Sequence, residues 1–297
     1  MFCWLFTILS AGFVTISVED TYLERSAASW AVDLTHADPQ VRRAGAFALG
    51  KLGKNALPHL AMLFRLGLED ANASVRLAVA GALAELGPLA PEESLSYYLR
   101  ALAKEKDHAV RRQWVEDIGK LGERASRAEK VLIELLDQGD EQLQPLALWS
   151  LGQIGKVQEA HIFKIAQYLE SPVSSVRREA VAALGNFGTQ SLEVLLPIIR
   201  TLSDREPGVQ EQGVLALRKL GPAASAGIAP LLTLAEKKSS DATLRQAALI
   251  TLENIWPTGA KEPSSWDRLL KLAESAEVDS LKQTAQQVVR KIEAIRK

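Results

Sequence analysis

Residues able to do chemistry are few in this chain and do not fall into a shared register. The four histidines, His36, His59, His108 and His161, form no HExxH pattern and no i, i+4 pair that could offer two imidazoles to one metal ion. A surface or structural role is expected for each. Cys3 is the single cysteine, so the chain offers no disulfide, no CxxC pair and no thiolate metal site. No GxxxxGK[ST], no GxGxxG following a strand and no GxSxG is present, which removes the phosphate cradle and the nucleophile elbow. Asn72-Ala73-Ser74 matches a glycosylation triplet but coincides with a helix cap. No residue has the setting of a catalytic group, a cofactor ligand or a metal ligand, and the protein is expected not to be an enzyme.

One chemically capable type does recur in register. Arg42, Arg76, Arg111, Arg177 and Arg245 each follow an aliphatic residue at near-constant spacing, with Gln144 and Gln210 in the remaining places. A row of guanidinium groups could bind phosphates. Yet 35 basic against 36 acidic residues leave a net charge of -1, so no global field favours nucleic acid. The arginines are expected instead to bridge neighbouring repeats through carboxylates and helix-end carbonyls, because their planar fork tolerates partial burial.

The elements that carry this row are set by the repeat itself. The aliphatic anchors are Val41, Val75, Val110, Leu143, Val176, Val209 and Leu244, with Leu281 as a weaker eighth, at steps of 34, 35, 33, 33, 33, 35 and 37 residues. Counting each anchor as position 0, positions 4, 8 and 11 are also apolar or small, and at about 100° per residue all four share one helical face. Three residues before the anchor stands Asp38, Asn72, Asp107, Asp140 or Asp241, able to cap a first turn. Position 12 is glycine in six copies: Gly53, Gly87, Gly122, Gly155, Gly188 and Gly221. Glycine there predicts a left-handed helix stop. A second apolar segment follows each stop, which gives eight helix-turn-helix units, an A helix and then a B helix, starting with Tyr22–Thr35 and Pro39–Gly53. Such a period means a stacked array that grows by length. Hydrophobic residues at 47% and charged residues at 24% suffice for its continuous core.

The phrase D-x-x-V-R-x-x-A-x-x-A-L-G-x-L-G resembles HEAT repeats, especially the short variety of the phycobilisome bilin lyases. The resemblance runs from Tyr22 to Ile295 and implies an all-α fold, a right-handed α-solenoid. Residues 19–256 form repeats one to seven. Residues 257–297 form a divergent eighth repeat or a C-terminal cap, since the glycine stop is missing after Leu252-Glu253-Asn254-Ile255-Trp256-Pro257. One HEAT-like enzyme class, deoxyhypusine hydroxylase, builds a di-iron site from His-Glu dipeptides. No such dipeptide occurs here.

Positions 2, 6 and 13 point most nearly away from the core, so they are expected to line the concave B-helix surface. The candidate partner-binding residues there are Arg43, Phe47, Arg112, Glu116, Trp149, Arg178 and Leu215, a mixture of charge and aromatic area of the kind found at protein interfaces. The function expected is a scaffold, acting as a monomer, that holds a protein partner. A bilin-lyase-like accessory protein and a nucleic-acid-binding HEAT-like protein stand as alternatives, the latter disfavoured by Glu116 and Glu211 among the arginines. Residues 1–18, MFCWLFTILSAGFVTISV, carry no charge. They suit an export signal or membrane anchor, or equally a helix capping the stack, and leave the compartment open.

Overall fold

The computed structural model describes residues 21–256 and 263–296. The hydrophobic segment 1–18 lies outside the described residues. Among the described residues no helix is long and apolar enough to cross a membrane.

Among the described residues sixteen α-helices follow one another, odd-numbered A helices alternating with even-numbered B helices. They are α1 (Ala27–Asp33), α2 (Pro39–Lys51), α3 (Leu60–Glu69), α4 (Ala73–Leu86), α5 (Pro91–Lys104), α6 (His108–Lys120), α7 (Glu129–Asp137) and α8 (Leu143–Ile154) in the first half. The second half holds α9 (Glu159–Gln167), α10 (Ser174–Asn186), α11 (Leu195–Arg200), α12 (Pro207–Leu220), α13 (Ile228–Glu236), α14 (Ala242–Ile255), α15 (Pro263–Ser275) and α16 (Asp279–Arg296). Every anchor lies near the start of a B helix. The eighth pair, α15 and α16, is helical like the rest. The fold is an all-α solenoid, and its helices gather into two compact units divided between Ala90 and Pro91.

Local chemistry explains the boundaries. Asp38, Asn72, Asp107 and Asp241 accept hydrogen bonds from first-turn N–H groups, and Asp140 takes those of Gln142 and Leu143 at 3.0 and 3.2 Å. Five of the six glycine stops have positive φ, from 53° at Gly53 to 75° at Gly155. Gly87 departs from expectation with φ −56° and runs on into a 3-10 turn, Gly87–Leu89. Proline follows both Gly87 and Gly221 and restricts the residue before it. Gly221 meets that restriction with φ 64°, ψ −149°, whereas Gly87 keeps the right-handed conformation that proline disfavours.

The first A helix is shorter than the sequence suggested. Its expected start is a hairpin, β1 (Thr21–Tyr22) against β2 (Arg25–Ser26), turned by Leu23 and Glu24 at φ 48° and 62°. The indole N–H of Trp30 donates to the Tyr22 carbonyl at 2.9 Å and Ser26 caps α1, which holds the hairpin down.

Apolar positions 0, 4, 8 and 11 form the core, buried throughout α4, α6, α8, α10, α12 and α14. Between B helices a second rule operates. Position 9 is glycine in α2, α6, α8 and α10, and it meets position 7 of the next B helix. A methyl group at Gly50 would stand 2.8 Å from Ala82 Cα, and at Gly185 2.8 Å from Ala216 Cα. Neighbouring backbones approach closely because one partner has no Cβ. In the second unit the core also holds a cluster of Tyr97, Tyr98 and Trp114, with ring centroids 5.3 to 6.0 Å apart. Trp114 takes a position that glycine, alanine or valine fills in the other units.

Candidate functional site

The in-register arginines are bound within the fold. In the first unit the Arg42 guanidinium meets the Asp70 carboxylate twice, Nε at 2.6 Å and Nη2 at 3.0 Å, while Nη1 donates to the carbonyls of His36 and Ala37. In the second unit Arg177 repeats the arrangement with Asp204, at 2.7 and 2.8 Å, and with the carbonyls of Ser171 and Pro172. Each pair joins a B helix to the end of the next A helix. Burial pushes the Asp70 carboxyl upward, but hydrogen bonds from Arg42 and the Asn72 N–H hold it below the usual range. The Arg177 hydrogen bonds do the same for Asp204. Arg111 donates to Gln138 Oε1 at 3.0 Å, and Gln144 to the Leu136 carbonyl at 2.9 Å.

A sequence signal for this pairing exists five residues before each anchor. Asp70, Glu105, Gln138 and Asp204 stand there after repeats that carry arginine, whereas Ser171 and Ser239 follow the repeats that carry glutamine. The acceptor varies with the donor. Periodicity alone hides this, because the acceptor lies outside the shared phrase.

The face left free is that of positions 2 and 6. None of the seven candidates is buried: Arg43, Phe47, Arg112 and Arg178 are exposed, and Glu116, Trp149 and Leu215 are partly exposed. In the first unit Phe47 is 52% exposed, with one edge against Tyr22 at 6.3 Å and the Lys51 ammonium 5.3 Å from its centroid.

In the second unit three candidates from three consecutive B helices converge. Glu116 of α6, Trp149 of α8 and Arg178 of α10 line a pocket of about 280 Å³ with Pro145, Leu146 and Glu179. Trp149 is positioned from beneath. Its ring lies over Gly119 so closely that a methyl group there would stand 2.8 Å from Cε3. The same side chain is among those that line the pocket. Arg178 is steadied by Glu179, Nη2 to Oε1 at 3.0 Å, and Glu116 by Lys120 at 2.9 Å. The pocket therefore has an indole floor, an apolar proline–leucine wall and a charged rim of both signs. Arg43 and Phe47 lie in the other compact unit, and Arg112 and Leu215 are not among the lining residues.

The histidines sit at joints. His161 Nδ1 is 2.6 Å from Glu129 Oε1, His36 Nδ1 accepts from the Asp38 N–H at 3.0 Å, and His108 lies 3.5 Å from Asp140. Among the described residues no group of three or more His, Cys, Asp or Glu is placed to hold a metal ion.

Below the surface, Asp117 is 1% exposed and receives hydrogen bonds from Gln113 at 2.8 Å and Lys120 at 3.3 Å. Burial pushes its carboxyl up to about 7, against the pull of those two partners. The other repeats place alanine, serine, threonine or valine at this position, so Asp117 stands out in the aligned sequence.

Stacked helix pairs whose polar row is consumed in joining repeats, and whose varied row stays open, define a repeat scaffold. Residues 27–118 and 129–204 match the family of HEAT repeats, and the chain belongs to that family. No curated protein matches it. Among solved structures it is similar to an archaeal HEAT-like repeats protein from Thermococcus onnurineus, at 18% identity and TM-score 0.52 over 80% of this chain and 98% of that one. It is similar to a chain in the structure of Kap95p with RanGDP, at 13% identity and TM-score 0.60, over 91% of this chain and 42% of that one. It also matches the CpcE–CpcF complex of phycocyanin lyase from Nostoc, at 21% identity and TM-score 0.49, over 94% of this chain and all of that one.

Proposed function

We propose that this protein is a non-enzymatic scaffold that captures a protein partner on its B-helix face, with the pocket of Glu116, Trp149 and Arg178 as its centre. The observation that carries the reading is the convergence of an aromatic, an arginine and a carboxylate from three successive repeats on one open pocket. Tryptophan and arginine supply much of the binding energy at protein interfaces when set in such a pocket. Its floor is rigid, because the indole already rests on the Gly119 backbone. Little side-chain entropy is then lost when a partner covers it.

Nucleic-acid binding gains less support. Arg178 is engaged by Glu179, Glu116 shares its pocket, and the Arg42 and Arg177 forks are filled by carboxylates and carbonyls. Heparin retention that disappears at moderate salt would favour that alternative. For the scaffold, the test compares affinity capture by the full chain with capture by Trp149→Ala combined with Arg178→Glu. A specific protein should be lost from the variant while the melting temperature stays close to the parent's. Loss that only accompanies unfolding would mean those side chains serve the fold.

A further inference from the structure

The seventh repeat breaks the arginine rule, and it does so at an open pocket. Arg245 is 9% exposed and its Nε donates to the Ala235 carbonyl at 2.7 Å, but the place of Asp70 and Asp204 in the following repeat is taken by Ala276. The backbone equivalence is direct. The Ala276 N–H bonds the Leu272 carbonyl at 3.1 Å, as the Asp70 N–H bonds the Leu66 carbonyl at 2.9 Å. A methyl group thus stands where Asp70 and Asp204 supply a carboxylate.

The pocket, about 560 Å³, is lined by Arg245, Lys238, Arg268 and Lys271 against two carboxylates, Glu236 and Glu277. Both carboxylates are engaged: Glu236 receives Arg268 at 2.6 and 2.9 Å, and Glu277 is bonded to Lys238 and also lies within the field of Arg245. Among the described residues neither Arg245 nor Lys271 forms a salt bridge. The wall carries two cations in excess, one of them a largely buried guanidinium.

We propose that this pocket docks an acidic segment of a partner protein, whose carboxylate meets the Nη groups of Arg245, its Nε being held by the Ala235 carbonyl. A guanidinium accepts a carboxylate in a two-bonded planar arrangement, and partial burial strengthens the pair. Lys271 adds a second, salt-sensitive attraction for a neighbouring acidic residue. The site is walled by α13 and α15, away from the Trp149 pocket, and holds or fails independently of it.

The experiment measures fluorescence anisotropy of a labelled peptide of alternating aspartate and glutamate with the full chain at low salt, beside an asparagine–glutamine control peptide. The acidic peptide binds and the control does not. Ala276→Asp supplies the missing carboxylate from within, so it weakens peptide binding about tenfold and raises the melting temperature, whereas Ala276→Asn leaves affinity within about twofold. Arg245→Gln also loses about tenfold; it keeps the fold, because glutamine is the residue the repeats themselves use at Gln144 and Gln210. Equal binding by Ala276→Asp, or no binding by the unaltered chain, overturns the proposal. A phosphoserine peptide that binds about tenfold more tightly than the acidic one overturns the assignment to a carboxylate.

Discussion

The indole of Trp149 rests on Gly119, one repeat earlier, where a methyl group would stand 2.8 Å from its Cε3 and 2.7 Å from Ser150 Oγ. A glycine chosen by close approach thus also sets the floor of the candidate interface. Gly119→Ala should displace the ring, cost about 1–3 kcal/mol as an overpacked contact, and weaken partner capture together with stability. Denaturant unfolding and capture, measured on the same variant, check this; an unchanged midpoint would show that the ring has room to move.

Two further helical glycines should respond with opposite signs to the same substitution. Gly185→Ala places a methyl group 2.8 Å from Ala216 Cα and 2.9 Å from Ala216 Cβ, contacts that backbone cannot easily yield. A loss of about 1–3 kcal/mol is expected. Gly81→Ala in α4 meets no atom within 4 Å and should gain about 1 kcal/mol from helix propensity. Melting curves of the two variants decide it.

Removing one partner of Arg177 and Asp204 should be costly, since both side chains are largely buried, at 6% and 12% exposure. Asp204→Ala leaves an uncompensated guanidinium and should destabilise by about 3 kcal/mol. The double variant with Arg177→Ala should lose less than the sum of the two single losses. The folded carboxyl of Asp204 lies below its unfolded value, so this stabilisation is full above the unfolded pKa of about 4 and fades as pH falls through the folded pKa. The stability gap between the parent and Asp204→Asn should be constant above that window and close within it as pH falls.

Asp117 should give the opposite pH dependence. Its carboxyl is raised to about 7 by burial, whereas the unfolded chain loses that proton near about 4. Between those values the folded chain holds more protons than the unfolded one, so the contribution falls as pH rises and is flat above about 7. Asp117→Asn removes this component, keeps a side-chain oxygen for Gln113 and Lys120, and should be the more stable form at pH about 8, by a few kcal/mol at most. Parallel slopes for the two proteins between pH about 4 and about 7 would contradict this.

The first seven B helices were legible because aspartate or asparagine starts, glycine stops and one apolar stripe act within a single turn or face. Residues 21–26 were not: the hairpin of Tyr22 and Arg25 depends on Leu23 and Glu24 at positive φ and on Trp30 reaching back. Position 12 misled only at Gly87, which stays right-handed and runs on into a 3-10 turn although Pro88 follows it. At the candidate site, the outward positions carry Glu116, Trp149 and Arg178, none of which is buried. Their convergence was hidden, because it follows from how closely successive B helices approach at Gly119 and Gly152. The acceptors Asp70 and Asp204 were visible in the letters but lay outside the repeated phrase.

Hydrogen–deuterium exchange on the full chain, alone and bound to the protein that it captures, tests the scaffold reading most directly. Protection should concentrate on the B helices His108–Lys120, Leu143–Ile154 and Ser174–Asn186 and should disappear in Trp149→Ala with Arg178→Glu. Protection confined to the A helices, or unchanged in that variant, would contradict it.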